Sequence, residues 1–152
     1  MIDGELAAFL EEGIAIHLGT RNAQLEPDGA RVVAVRVDAD ATHIVAFVPE
    51  VAAQRVLANL EANGQAALVF ARPPDERACQ LKGTFAGARP ATADDRALVD
   101  AQWSRWLARL ATIGYPLVTF DNWTTWPCVA VRVRVNAIFN QTPGPGAGAP
   151  LA

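Results

Sequence analysis

Three period-two segments follow one another near the start of this chain with no helical pattern between them. Ile14, Ile16 and Leu18 alternate with Ala15 and His17, Arg31 to Val37 reads as a second strand, and His43 to Val48 as a third, closed by Pro49. Parallel neighbours need a long crossover, usually a helix, whereas antiparallel neighbours need only a loop. A doubly wound parallel sheet is therefore disfavoured. The link between the first two strands contains Pro27-Asp28-Gly29. That triplet reads as a turn, because proline fixes φ and glycine tolerates positive φ.

The remaining segments complete an α-β-β-β-α-β-β-α-β order. Residues 2–12 read as a short helix stopped by Gly13, with Leu6, Phe9 and Leu10 on one side. Val51 to Asn63 is a second helix with Val56, Leu57 and Leu60 facing inward and Gly64 as its stop. Gln65 to Ala71 is a nearly all-apolar fourth strand, expected to be central. Arg72-Pro73-Pro74-Asp75 is a turn, and Arg77 to Ala88 a fifth strand bent at Gly83. The strongest helical pattern is Ala93 to Leu110. Thr92 and Asp95 form a capping-box-like start, and Gly114-Tyr115-Pro116 a stop. A Trp- and Thr-rich loop precedes the last strand, Val129 to Phe139. This strand sends Val129, Val131, Val133 and Val135 to one face and Arg132 and Arg134 to the other. The expected architecture is mostly β with flanking helices: a six-stranded, mainly antiparallel barrel with three helices. It forms a single domain over 1–140, followed by a Pro/Gly-rich tail at 141–152.

Composition removes several function classes. Thirteen basic against sixteen acidic side chains give a formal charge of −3, so no global positive field exists to hold nucleic acid or an anionic membrane. No apolar run approaches the roughly 18 residues of a membrane-spanning helix, and the acidic start lacks the basic region of a secretory signal. Cys79 and Cys128 read as reduced thiols of a cytoplasmic protein, and with only His17 and His43 beside them no metal site is expected. The GxxxxGK, GxSxG and HExxH patterns are absent. The chain reads as one built to hold something rather than to react through its own side chains.

The candidate holding residues lie between Arg31 and Gly83. Strict alternation over Arg31-Val32-Val33-Ala34-Val35-Arg36 puts Arg31 on one face and Arg36 on the other, at opposite ends of the strand. Arg55 sits on the polar side of the second helix near its start. Helix N-terminal amides with one or two guanidinium groups make a phosphate site. The alternative reading of all three arginines is a solvated surface.

The same span carries a resemblance. Arg31-Val32-Val33-Ala34-Val35-Arg36, His43 to Val48, Leu60-Glu61-Ala62-Asn63-Gly64, Ala66-Ala67-Leu68-Val69-Phe70 and Arg77-Ala78-Cys79-Gln80-Leu81-Lys82-Gly83 occur in that order. In order and spacing, over about residues 13–88, they resemble the FMN-binding split barrel of the pyridoxamine 5′-phosphate oxidase-like superfamily. The resemblance implies that Arg31, Val33, Ala34 and Arg36 lie along a flavin, with arginine at position 36 where the family has lysine. It implies that Val48, Pro49 and Glu50 approach the ring or ribityl chain. The family's Ser-Arg-Lys phosphate clamp falls on Gln54, Arg55 and Val56, so one cation is replaced by valine. Such a loss in a partly desolvated phosphate site costs about 1.5–3 kcal/mol, roughly tenfold to a hundredfold in affinity. The family's ring-facing glutamine falls on Ala78, with Gln80 two residues later on the same face of the strand.

The arginine- and histidine-bearing C-terminal substrate motif of true pyridoxamine phosphate oxidases is absent, so that activity is not expected. Trp123 and Trp126 are the candidate walls of a different substrate pocket. The resemblance implies an intertwined homodimer with FMN at its interface. The leading expectation is a flavoprotein performing redox chemistry on a small organic molecule. The alternatives are a barrel using deazaflavin F420, and a non-catalytic module holding haem or another planar ligand.

Overall fold

Alternating burial along each apolar segment builds the elements, and the computed structural model describes residues 2–151. Met1 and Ala152, the last residue of the tail, lie outside the described residues. In chain order the elements are α1 (Gly4–Leu10), β1 (Ala15–Arg21), β2 (Pro27–Val32), β3 (Ala34–Val37), β4 (His43–Pro49) and α2 (Glu50–Asn63). They continue with β5 (Gln65–Arg72), β6 (Arg77–Pro90), α3 (Ala93–Thr112), a 3₁₀ turn (Leu117–Phe120) and β7 (Cys128–Asn140).

The sheet has seven strands rather than six, because the expected strand 31–37 is two strands. β2 pairs with β1 and β3 with β4, and Val33 between them donates its N–H to the Phe47 carbonyl at 2.9 Å. The Pro27-Asp28-Gly29 triplet belongs to β2, opposite Arg21, Thr20 and Gly19. The turn lies earlier, where Asn22 Oδ1 accepts from the Gln24 and Glu26 amides and Leu25 takes φ 65°. An Asx-type side-chain turn thus replaces the expected proline–glycine one.

The strand order is β2-β1-β5-β6-β7-β4-β3, antiparallel throughout. Its two outermost strands are joined by Val33 alone. The sheet must therefore curl until its edges meet, which makes it a barrel. The interior is filled from every strand by residues such as Ile16, Leu18, Val32, Val35, Ile44, Leu68, Phe70, Leu81, Val133 and Ile138. α2 adds Ala53, Val56 and Leu60 to that core. Gly64 at φ 71° ends α2, its N–H bonded to the Leu60 carbonyl at 2.8 Å. β5 stands third in the sheet and is buried on one face only, since Gln65 and Val69 are exposed. Register shifts at Lys82/Gly83 and Phe85/Ala88 bend the long β6.

α3 covers part of the barrel's outside. It starts on the expected capping box: the Thr92 side chain accepts from the Asp95 N–H while the Asp95 side chain accepts from the Thr92 N–H. A second core, with Val33, Ala34, Val45, Phe47, Val99, Cys128 and Ala130, lies between this helix and the outer face of β3, β4 and β7. The tail folds back on the barrel. Asn140 N–H bonds to the Ala149 carbonyl, Leu151 N–H to the Ile138 carbonyl and Gln141 N–H to the Ala78 carbonyl. No helix among the described residues is long and apolar enough to cross a membrane.

Candidate ligand-binding face

α3 leaves the outer face of β1, β5 and β6 bare. On that face the register aligns one residue from each of five strands. Arg31 of β2 pairs with His17 of β1, His17 with Val69 of β5, Val69 with Gln80 of β6, and Gln80 with Phe139 of β7. Each sits beside buried neighbours, for example His17 between Ile16 and Leu18 and Gln80 between Cys79 and Leu81, so all five point away from the interior. The row is a ridge. It brings Arg31 and Gln80 to one surface, three strand spacings or about 14 Å apart.

Small residues flank the ridge on both sides. Ala15, Ala71 and Ala78 align above it and, with Pro73 and Pro143, line a shallow groove of about 300 Å³. Gly19 and Ala67 align below it and floor a second groove of about 640 Å³, which the longer side chains of Arg21, Gln65, Lys82 and Thr84 border. The alternation of small and large rows gives a corrugated surface that a flat molecule can lie against. Of this face the sequence marks Arg31, Gln80 and Ala78; His17, Val69, Ala15, Ala71 and Lys82 join them only through the pairing register.

Arg31 and Arg36 both point outward, contrary to strict alternation. The break at Val33 resets the period: Val32 and Val35 face the interior, while Val33 and Ala34 are consecutive and both lie under α3. The two arginines nevertheless do not converge. One face of α3 follows the 31–36 segment. Asp95 Oδ1 accepts from Arg36 Nη1 at 2.9 Å, Gln102 pairs with Val35, and the Trp106 ring centre is 4.8 Å from Arg31 Cζ. Asp95 to Trp106 spans about 16 Å of helix and Arg31 to Arg36 about 16 Å of extended chain. The helix therefore holds the two guanidinium groups at its opposite ends.

Arg55 is in a third place. It is 81% exposed and its Nε is 2.6 Å from Asp28 Oδ2. Gln54 beside it is exposed, and the first amide of α2 is already bonded to the Pro127 carbonyl. Arg31 and Arg36, expected along the flavin, and Arg55, expected at its phosphate, thus lie in three separate places within one chain. Val33, Ala34, Val48 and Pro49 are buried, Val48 in the barrel interior, so their side chains line no open surface. Trp123 and Trp126 do not share a pocket either. Trp123 lies 5.0 Å from Arg31 Cζ, whereas Trp126 stacks on Arg96 near the start of α3, at 5.2 Å.

Arg31 has the most unusual surroundings. Trp103, Trp106 and Trp123 ring centres lie 5.8, 4.8 and 5.0 Å from its Cζ, and no carboxylate pairs with it among the described residues. Burial lowers its pKa from the ordinary arginine value. His17 beside it is likewise lowered, by burial first and by the Arg31 charge second. Cys79 faces the interior and Cys128 lies beneath α3, and burial pushes each thiol up to about 12, so neither is a ready nucleophile.

Comparison with known proteins places this architecture. HupZ of Group A Streptococcus is 18% identical, with 98% of this chain and 99% of that one covered at a TM-score of 0.60. An F420 reductase is 17% identical, covering 86% and 93% at 0.59. An FMN-binding protein from Syntrophomonas wolfei is 15% identical, covering 91% and 87% at 0.53. The chain has the FMN-binding split-barrel fold. No protein-family model matches the sequence, and no curated protein matches it. The fold expected from the resemblance is present, while Arg31, Arg36 and Arg55 lie apart from one another within one chain.

Proposed function

We propose that the bare outer face of β1, β5 and β6 binds a flat, phosphate-bearing cofactor, FMN, and that the protein is an FMN-dependent oxidoreductase for a small organic molecule. The observation that carries this reading is the ridge joining Arg31 to Gln80 between two grooves, one floored by Ala15, Ala71 and Ala78 and the other by Gly19 and Ala67. The alanine floor of Ala15, Ala71 and Ala78 accepts a planar ring without collision, and Gln80 offers it hydrogen-bonding groups. Arg31, lacking a carboxylate partner, supplies the positive charge for the anionic tail. Arg36 and Arg55 are committed to Asp95 and Asp28 and play no part in this reading. FMN supplies the electron-transfer chemistry when bound, and the chain's own residues bind it, orient it and shield it from water.

The same face would be covered by a second copy of the chain, giving a homodimer with the cofactor between subunits. A second reading, a haem-binding or other planar-ligand module, is favoured by His17. Its lowered pKa keeps the exposed imidazole neutral at pH 7, the state that ligates iron.

Titration of FMN fluorescence and sedimentation test both readings. Saturable quenching at micromolar protein with a dimer mass supports the flavoprotein. In Arg31→Ala the affinity should fall at least tenfold, a charge-assisted contact being worth about 1.5–3 kcal/mol. Arg55→Ala should stay within about twofold, since a surface pair contributes about 0–1 kcal/mol. Failure to quench FMN, with a Soret band on adding haem that His17→Ala abolishes, would replace the first reading by the second.

A further inference from the structure

We propose that Arg31 Nε and Trp106 Nε1 form a two-donor seat for a phosphate group, and that Trp123 is its movable cover. The starting observation is a coincidence of two orphans. Among the described residues, the buried side-chain nitrogen and oxygen atoms without a hydrogen-bond partner are Arg31 Nε and Trp106 Nε1. They belong to side chains in direct contact, with Arg31 Cζ 4.8 Å from the Trp106 ring centre. Buried donors are nearly always satisfied, so two orphans on touching side chains point to an acceptor that the chain itself does not provide.

The rest of α3 sharpens the contrast. Along the helix face that follows residues 31–36, Asp95 satisfies Arg36 and Gln102 satisfies both backbone groups of Val35. Only the Arg31–Trp106 step is left open. Both groups there are pure donors, one of them cationic, so they select an anionic oxygen. A phosphate carries enough acceptor oxygens to serve Nε, Nε1 and the guanidinium's terminal nitrogens together. The surrounding indole rings exclude water and so strengthen the pairing.

Access requires movement, because both donors are sealed. Trp103 and Trp106 are fixed on α3, and Trp106 is only 7% exposed. Trp123 is 44% exposed and sits on the connection after α3, held by ring contacts to Phe120 at 4.9 Å and Trp103 at 6.1 Å. It is the ring that can swing away from the guanidinium. The inference rests on the proposed phosphate-bearing ligand; it adds Trp106 as a second phosphate donor and makes Trp123, a candidate pocket wall in the sequence, a cover over the phosphate.

The test uses the full chain, tryptophan fluorescence with inorganic pyrophosphate as the probe, and separate titrations of FMN and riboflavin. Trp106→Phe keeps the ring and removes the N–H. It should weaken pyrophosphate and FMN about tenfold while leaving riboflavin unchanged. Trp123→Ala should bind pyrophosphate at least as tightly as the wild type, and faster. Should Trp106→Phe fail to fold, the wild-type Trp106 indole N–H resonance, identified by elimination with the other three tryptophans replaced, should move downfield with pyrophosphate. Saturable pyrophosphate binding that Trp106→Phe weakens, without any FMN binding, keeps the seat and removes the flavin reading. Equal affinities of wild type and Trp106→Phe for both phosphate ligands, a Trp106 resonance that pyrophosphate does not move, or no saturable binding of either ligand, overturns the seat.

Discussion

Gln102 on α3 and Val35 on β3 exchange two hydrogen bonds: Gln102 Nε2 donates to the Val35 carbonyl at 2.7 Å, and the Val35 N–H donates to Gln102 Oε1 at 3.0 Å. β3 is the outermost strand of the sheet, so its free backbone groups would otherwise invite another strand. One amide side chain stands in for the missing neighbour, and it is 2% exposed. Glu11 does the same two residues on, Oε1 accepting from the Val37 N–H at 2.6 Å. The seam of the barrel is therefore closed by side chains of α3 and of the residue capping α1.

Gln102→Leu should destabilise the protein by about 3 kcal/mol, because it leaves a buried N–H and a buried carbonyl unpaired while adding only apolar volume. Urea denaturation measures this. A change below about 1 kcal/mol would mean that the β3 edge finds other partners.

Asp95 ties three elements together. It is 3% exposed and accepts from Arg36 Nη1 at 2.9 Å, Arg89 Nη1 at 2.7 Å and the Thr92 amide at 2.9 Å. The Arg89 hydrogen bond first, then the Thr92 amide and Arg36, hold its carboxyl well below the usual carboxylate range. Asp95→Asn should cost about 2 kcal/mol at neutral pH. The stabilisation exists above the unfolded-state pKa near 3.8 and is lost as pH falls through the lower folded-state value. The gap between wild type and variant should therefore close below pH 4 in acid denaturation curves.

The fold was largely legible because burial imposes period two on strands and 3.6 on helices. The Ala93–Leu110 pattern, the Thr92–Asp95 cap and the Gly64 stop all appear where local chemistry demands them. What local chemistry could not reveal was the break at Val33. A single residue joins the two outermost strands, and its need follows from barrel closure, a property of the whole sheet. That break turns Arg36 outward and lays the 31–36 segment along α3, so Arg31 and Arg36 share a helix face yet sit far apart on it, and Arg55 stands away from both. The His17–Val69–Gln80 ridge was hidden for a related reason, since cross-strand register joins residues far apart in sequence.

Gly83 was expected only to bend its strand, and the structure shows a stricter need. A Cβ there would strike the Arg134 carbonyl oxygen and come within 2.6 Å of Val133 Cγ1, at the register shift between β6 and β7. Backbone on one side and a packed valine on the other leave no cheap relaxation. Gly83→Ala should destabilise by about 3 kcal/mol, in line with overpacking of a filled core. Thermal unfolding of this variant beside Gly87→Ala separates space from backbone freedom. Gly87 has nothing within 4 Å of its Cβ position but a φ of 116°, so its penalty is one of conformation alone.

His17 reports on the charge at the candidate site. Its pKa lies below the ordinary 6.5 first because it is partly buried and second because the Arg31 guanidinium stands across the β1–β2 pair. Arg31→Ala removes the second cause and leaves much of the first, so the His17 titration should move upward but stop short of 6.5. Proton NMR of the imidazole follows this directly. The same linkage has a stability consequence. The unfolded chain binds a proton at His17 more readily than the folded one, so acidification from neutral through pH 6.5 weakens the fold, and Arg31→Ala should lessen that loss. An anion seated at Arg31 would act in the same direction by cancelling its charge, so pyrophosphate should raise the His17 pKa of the wild type and leave that of Arg31→Ala unmoved. If the His17 titration is identical in wild type and Arg31→Ala, the Arg31 charge is not felt on the ridge, and its assignment as the cation of the binding face loses its electrostatic support.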